Sequence, residues 1–355
     1  MGAPPSALRR HAPKVLASLG IAALFVWLFR RGGLPLLPGP EAIASLTVWG
    51  VLGYTSLLLV TMWLRTYRWV YLLRPLANVD TRRVVGIGFL GFGAILFAPL
   101  RMGEVVRPYL IASDDGVGFT EATGTVLAER VIDGLVISFV LLAGLLLSHP
   151  VSPLPDHLGS IAVPVHAIPG AAWTALTMFG GAFTAMALFY FARDLARKIT
   201  HAVLDIVSAK LATWFTAQVE RLADSLKFLP SRAHGVPFLR DTLLYWTVST
   251  AAIWVALRGC GIAATPAEAC LTAGVVGLGS LIPSGPGMFG TYQLATYAAL
   301  AMFCPESVVL TAGAAFVFLT YSVQLVATLA SVGLGYWLVR RSAVRTPVER
   351  GAETP

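Results

Sequence analysis

Blocks of mostly apolar residues follow one another along this chain, from Val15 to Phe29, Ala42 to Leu64, Thr125 to Leu147, Pro169 to Phe191, Leu239 to Leu257 and Val308 to Val339. Most approach or exceed the roughly 20 residues that a helix needs to cross a hydrocarbon core about 30 Å thick. No sustained period-two alternation separates them, so the pattern predicts an all-α polytopic membrane protein with about six full transmembrane helices. Two further apolar segments are too short or too broken to cross singly. Val84 to Ala98 would extend about 22 Å as a helix and Gly103 to Ser113 about 16 Å. Glu268 to Phe303 is interrupted at Pro283, Ser284, Gly285, Pro286 and Gly287, where proline removes donors and glycine permits reversal. A different pattern lies between the halves. Leu195, Ile199, Leu204, Val207, Leu211, Trp214, Val219, Leu222 and Leu226 recur at helical spacing, with Arg197, Lys198, Lys210, Arg221 and Lys227 on the remainder. This is the signature of an amphipathic helix on the cytoplasmic face, a connector under the bundle in preference to a lipid-recruiting element.

Charge decides which ends of these helices face inward. Only 12% of the 355 residues are charged against 56% hydrophobic, with a mean hydropathy of +0.74. The net charge of +8 is spread over short loops, so it sets topology and does not form a nucleic-acid surface. Basic segments from Arg65 to Arg83 and from Arg193 to Arg240, together with Arg340, Arg341 and Arg345, are expected inside, while the loop from Ser148 to Ile168 has no Lys or Arg and is expected outside. Arg9, Arg10 and Lys14 keep the N-terminus inside, ahead of a retained first span.

These assignments force a parity. Arg83 is inside, and the span beginning near Thr125 must also start inside. The segment between them therefore enters from the cytoplasm and returns, with its tip at Ala98 to Gly103. The same conflict returns between Leu257 and Val308, so the second hairpin enters from outside. Two halves, about 42–147 and 239–340, would then be inverted repeats in one membrane domain spanning 1–355. They are joined by a connector at about 192–232 and followed by a disordered tail at 341–355. The setting is a bacterial inner membrane with both termini in the cytoplasm.

Charges in an apolar region cost about 2.5–3.5 kcal/mol each on insertion scales, so those present are paired or functional. Arg101, Glu104 and Arg107 surround the first tip. Glu129, Arg130 and Asp133 open the next span at spacings that keep them on one side of a helix. The guanidinium fork suits phosphate, and nearby carboxylates temper its grip. A purely structural pairing, Glu104 with Arg130 or Arg101 with Asp133, remains open. Pro99, Gly103 and Pro108 break the first hairpin. The second tip is neutral and offers Ser284, Tyr292 and Gln293, with Pro283, Gly285, Pro286, Gly287 and Gly290 shaping it. Cys260, Cys270 and Cys304 have no metal or redox spacing. His149, Asp156, His157 and His166 share a loop without a recognised ligand pattern. No cofactor or metal is expected.

These motifs together resemble the lysylphosphatidylglycerol synthase transmembrane region, the flippase-like family. The resemblance rests on RTYRWVYLLRP, then R-x-G-E-x-x-R-P-Y, E-R-x-x-D and P-S-G-P-G-x-x-G, in order along nearly the whole chain. It implies a lipid-translocating module, with Arg101, Gly103, Glu104, Arg107, Glu129, Arg130, Asp133 and the segment from Pro283 to Gly290 at motif positions. Bifunctional members carry a soluble aminoacyl-transferase domain after the membrane part. This chain ends at Pro355, which sets the expectation that aminoacyl transfer is not performed here.

The expected function is therefore translocation of a phospholipid, an aminoacyl-phospholipid or another lipid-linked head group, without catalysis. Two other classes stay open. One is a membrane-embedded enzyme modifying lipid-linked sugars with Glu104 or Asp133 as base. The other is a noncatalytic accessory subunit. The expected ligands are membrane phospholipids or a lipid-linked substrate, and a homodimer or a partner subunit is open. No G-x-x-x-x-G-K-S/T loop is present, which argues against direct ATP use.

Overall fold

The computed structural model describes residues 7–97, 103–112, 116–206, 208–210, 213–214, 216–217, 220, 231–282 and 284–343. Pro99, Arg101, Pro283, the expected tail beyond 343 and most of 207–230 lie outside the described residues. Helices form where the apolar blocks are. They are α1 (Ala7–Gly32), α2 (Pro40–Ala44), α3 (Val48–Tyr67), α4 (Trp69–Leu73), α5 (Thr81–Phe97), α6 (Val106–Ala112) and α7 (Phe119–Leu147), then α8 (Ala167–Phe191) and α9 (Arg193–Leu204). The second half adds α10 (Gly235–Gly259), α11 (Pro266–Gly279), α12 (Thr291–Ala301), α13 (Glu306–Leu310) and α14 (Ala312–Ala343). Among the described residues, four stretches are long and apolar enough to cross a membrane, Val48–Leu73, Phe119–Leu147, Ala167–Phe191 and Ala312–Ser342. Helices α1 and α10, of 26 and 25 residues, have the length but carry more charge near their ends.

The short apolar segments turn back on themselves. A Cβ on Gly103 would sit 2.1 Å from the Ala94 carbonyl carbon, and one on Gly91 would sit 2.1 Å from Arg107 Cγ, so α5 and α6 run antiparallel in close contact. In the second half, a Cβ on Gly279 would meet that of Ala295 at 2.6 Å, which folds α12 back along α11.

The two halves pack reciprocally. Helix α3 packs on α10, the first hairpin arm α5 on the last helix α14, and the other hairpin arm α11 on α7. Glycine makes each approach close. Gly50 meets Gly259, Gly86 meets Gly335, and Gly144 and Gly274 meet Leu271 and Leu141. The pairings Gly50 with Gly259 and Gly53 with Val255 run in opposite directions along the chain. Helices α3 and α10 are therefore antiparallel.

One end of the bundle collects the loops read as outside. Thr47 N–H donates to Gly259 O at 3.0 Å, Ser160 N–H to Gly32 O at 3.0 Å, and Val151 N–H to Met302 O at 2.8 Å. Gly159 N–H donates to Glu306 Oε1 at 2.7 Å. Within that end, β1 (His157–Leu158) and β2 (Ile161–Ala162) form a two-stranded antiparallel ribbon, absent from the all-α expectation. Cys260 and Cys304 are buried there, and burial pushes both thiols up to about 12. Both are protonated at neutral pH and inert as nucleophiles.

Several expected boundaries move for local reasons. Helix α7 starts at Phe119, not near Thr125, because Glu121 Oε2 accepts the Gly118 N–H at 3.3 Å and caps the earlier turn. Helix α11 starts at Pro266, where Thr265 and Glu268 exchange side-chain hydrogen bonds at 2.7 and 3.3 Å. The last block splits at Thr311, whose φ of −109° and ψ of −87° are not helical. Pro108 does not break its helix. It sits in the first turn of α6, where a missing N–H costs nothing. The largest correction concerns Arg65 and Arg68. The helical stretch continues past them to Leu73, so they stand in a candidate span and not in a loop.

Candidate functional site

Glu129, Arg130 and Asp133 do not open their span. Counted from Phe119, Glu129 is ten residues in, about 15 Å along the axis, deep in the bundle. Glu129 is fully buried and accepts from three guanidinium groups. Arg68 Nη2 lies 3.1 Å from Oε1, Arg107 Nη2 lies 3.0 Å from Oε2, and Arg130 Nη2 lies 2.8 Å from Oε1. Arg68 stands at the joint between α3 and α4 and also forks onto Asp133. Its Nη1 donates to Oδ1 at 2.7 Å and its Nη2 to Oδ2, the bidentate geometry that guanidinium and carboxylate favour.

Asp133 ties the halves together. It accepts from Trp246 Nε1 of α10 at 3.3 Å, and Arg68 Nη1 reaches Thr242 Oγ1 on that helix at 3.2 Å. Arg130 Nε is 4.0 Å from Glu104 Oε2 and Arg130 Nη2 is 3.9 Å from Asp133 Oδ2. The open alternative of a Glu104 to Arg130 pairing thus has a geometric basis, while Asp133 takes Arg68 as its close partner.

Aromatic faces also hold the guanidinium groups. Arg107 lies over the Trp69 ring at 4.3 Å and over Phe92 at 5.1 Å. Arg65 lies over the same Phe92 ring at 3.9 Å, and Arg68 over Tyr245 at 4.8 Å. Such contacts contribute about 0.5–2 kcal/mol each, more when desolvated.

A cavity of about 480 Å³ opens between the halves beside this network. Its charged wall is Arg65, Glu104, Arg130 and Asp133, with Tyr245 and Trp246 from α10. Elsewhere it is mostly apolar, lined by Leu58, Ile95, Ile137, Ile253 and Leu281 among others, with Thr61, Ser249, Ser280, Gln324 and Thr328 as further polar side chains. Of the residues singled out from sequence, Glu104, Arg130, Asp133 and Tyr292 reach it. Arg107 and Glu129 do not line it and serve the buried network. Ser284 is buried away from it. Gln293 is also away from it, because its Oε1 accepts the Gly290 N–H at 2.7 Å and starts α12. Gly290 itself has φ +96° and packs so tightly on Phe25 that a Cβ would lie 2.1 Å from the ring. Among the described residues, no group of three His, Cys, Asp or Glu is placed to hold a metal. His166 Nε2 is 3.1 Å from Asp156 Oδ1 on the surface.

Sequence reading missed Arg65, Arg68, Phe92 and Trp246. The first two carry the signal of any intramembrane charge, but they stood next to Arg74 and read as loop residues. A match to the family model described as lysylphosphatidylglycerol synthase TM region covers residues 15–328, which takes in every element of the site. No curated protein and no solved structure matches the chain.

Proposed function

The chain belongs to the lysylphosphatidylglycerol synthase transmembrane-region family, a setting of membrane lipid metabolism, and from that premise we propose that it moves a lipid between the leaflets of a bacterial inner membrane. The observation that carries this reading is the cavity between the halves. It joins a charged wall to an apolar one in a volume of about 480 Å³, and a lipid presents that same pair of surfaces. A head group meets Arg65, Glu104 and Arg130, while acyl chains follow Leu58, Ile95 and Leu281. In this reading six helices cross fully, the two hairpins enter from opposite faces as inverted repeats, and both termini are cytoplasmic. The antiparallel course of α3 and α10 and the reciprocal packing of each hairpin on the other half support it.

The protein acts by relocation and not by chemistry. Asp133 is engaged by Arg68 and Trp246, which leaves it poorly placed to act as a general base. Glu104 is the cavity carboxylate best placed to meet a head group, with 27% of its side chain exposed.

Proteoliposomes holding the purified chain are expected to equilibrate a fluorescent phospholipid between leaflets faster than protein-free vesicles. Glu104→Ala should slow this by roughly tenfold, the loss of one charged contact, with little change in thermal unfolding. Vesicles with the wild-type chain that flip no faster than empty ones would contradict the reading, as would a Glu104→Ala variant at full rate.

A further inference from the structure

The arginines of the network are not equivalent. Arg68, Arg107 and Arg130 each place a terminal nitrogen within 3.1 Å of the Glu129 carboxylate. Among the described residues, Arg65 has no carboxylate at ion-pair distance. Its Nε is buried without a hydrogen-bond partner, its guanidinium carbon lies 3.9 Å from the centre of the Phe92 ring, and it lines the cavity. Buried Nε atoms of the other three also lack partners, but those groups are satisfied at their termini. A buried charge held against a ring face, with its Nε unsatisfied, is costly unless a ligand completes it.

We propose that Arg65 is the anion-binding residue of the cavity, gripping a phosphate oxyanion of an amphiphile whose chains lie along the apolar wall. The proposal rests on the reading of the cavity as a lipid site and names which group of the lipid is recognised. Phosphate fits better than a lone polar group because guanidinium donates in a planar fork to paired oxygens. Phe92 of α5 supports the fork from below, so the first hairpin helps to place the ligand. Arg107 and Arg68, consumed by carboxylates, hold the wall in place and do not touch the ligand.

The test is a titration of the purified chain in neutral detergent, read by native mass spectrometry. Four probes are compared: short-chain phosphatidylglycerol, the diacylglycerol with the same chains, a fatty acid and inorganic phosphate. The wild type should bind phosphatidylglycerol roughly tenfold or more tighter than diacylglycerol. Arg65→Gln should bring the two to parity by weakening only the phospholipid, Arg65→Lys should keep part of the preference, and both variants should elute as folded protein with unchanged diacylglycerol binding. An Arg65→Gln variant that keeps the preference overturns the role of Arg65 and leaves the lipid site standing. Inorganic phosphate bound as tightly as the phospholipid, or fatty acid bound equally well, overturns the phospholipid assignment. A wild type that binds neither lipid overturns the lipid reading and the proposal together.

Discussion

Glu129→Gln is expected to leave almost no folded protein in the membrane. The Glu129 carboxylate is the shared acceptor of Arg68 at the α3–α4 joint, Arg107 of α6 and Arg130 of its own helix. Removing its charge while keeping its shape leaves Arg107, 1% exposed, without a carboxylate among the described residues. Breaking a buried pair from one side costs about 3–5 kcal/mol, and here three pairs share the acceptor. Native stability is only about 5–15 kcal/mol. The effect is read as loss of the monodisperse peak in fluorescence-detected size exclusion. Adding Arg107→Met to Glu129→Gln should recover part of the yield, because a buried charge without its partner costs more than an apolar replacement. A Glu129→Gln variant at near wild-type yield would show that the network does not hold these elements together.

Gly103→Ala is expected to abolish transport while sparing insertion. The added Cβ would lie 2.1 Å from the Ala94 carbonyl carbon, 2.2 Å from the Ile95 nitrogen and 2.4 Å from the Ala94 oxygen. These are backbone atoms of the facing arm, so no rotamer change makes room and α5 must part from α6. Overpacking a well-filled site costs about 1–3 kcal/mol even when side chains yield. The separation also displaces Glu104, the next residue, from the cavity wall. Gly181→Ala is the control, since nothing lies within 4 Å of a Cβ there, and its flip rate should match the wild type. Equal rates for Gly103→Ala and Gly181→Ala would contradict the close hairpin.

Much of the fold was legible because lipid imposes a simple grammar. Apolar length marked four stretches long enough to cross a membrane, and proline and glycine near Gly103 and before Gly290 marked places where helices turn back on each other. Charge parity then demanded hairpins, and the glycine contacts of Gly91, Gly103 and Gly279 agree with two reversals. Where the grammar failed, a residue type had two meanings. Arginine usually labels a cytoplasmic loop, but Arg68 is buried because Asp133, 65 residues away, neutralises it. No local pattern announces a partner at that separation.

The candidate site divided in the same way. Glu104, Arg130 and Asp133 were readable as charges in apolar surroundings. Which of the charged residues face the cavity and which face each other depends on packing between halves, so the sequence does not show that Arg107 and Glu129 face each other while Arg65 lines the cavity. Gln293 was readable in principle. A glutamine three residues after Gly290 suits the start of a helix, and its buried amide is used there.

The central claim is that each hairpin dips into the membrane and returns to its own face. Cysteines introduced singly at Asp80, Thr120, Ala263 and Ser307, all exposed, in a background lacking Cys260, Cys270 and Cys304, test it directly with an impermeant maleimide applied to intact cells stripped of the outer envelope. Ala263→Cys and Ser307→Cys are expected to label from outside, and Asp80→Cys and Thr120→Cys only after the membrane is opened. Labelling that separates Asp80 from Thr120, or Ala263 from Ser307, would mean that the intervening segment crosses, and the account would fail.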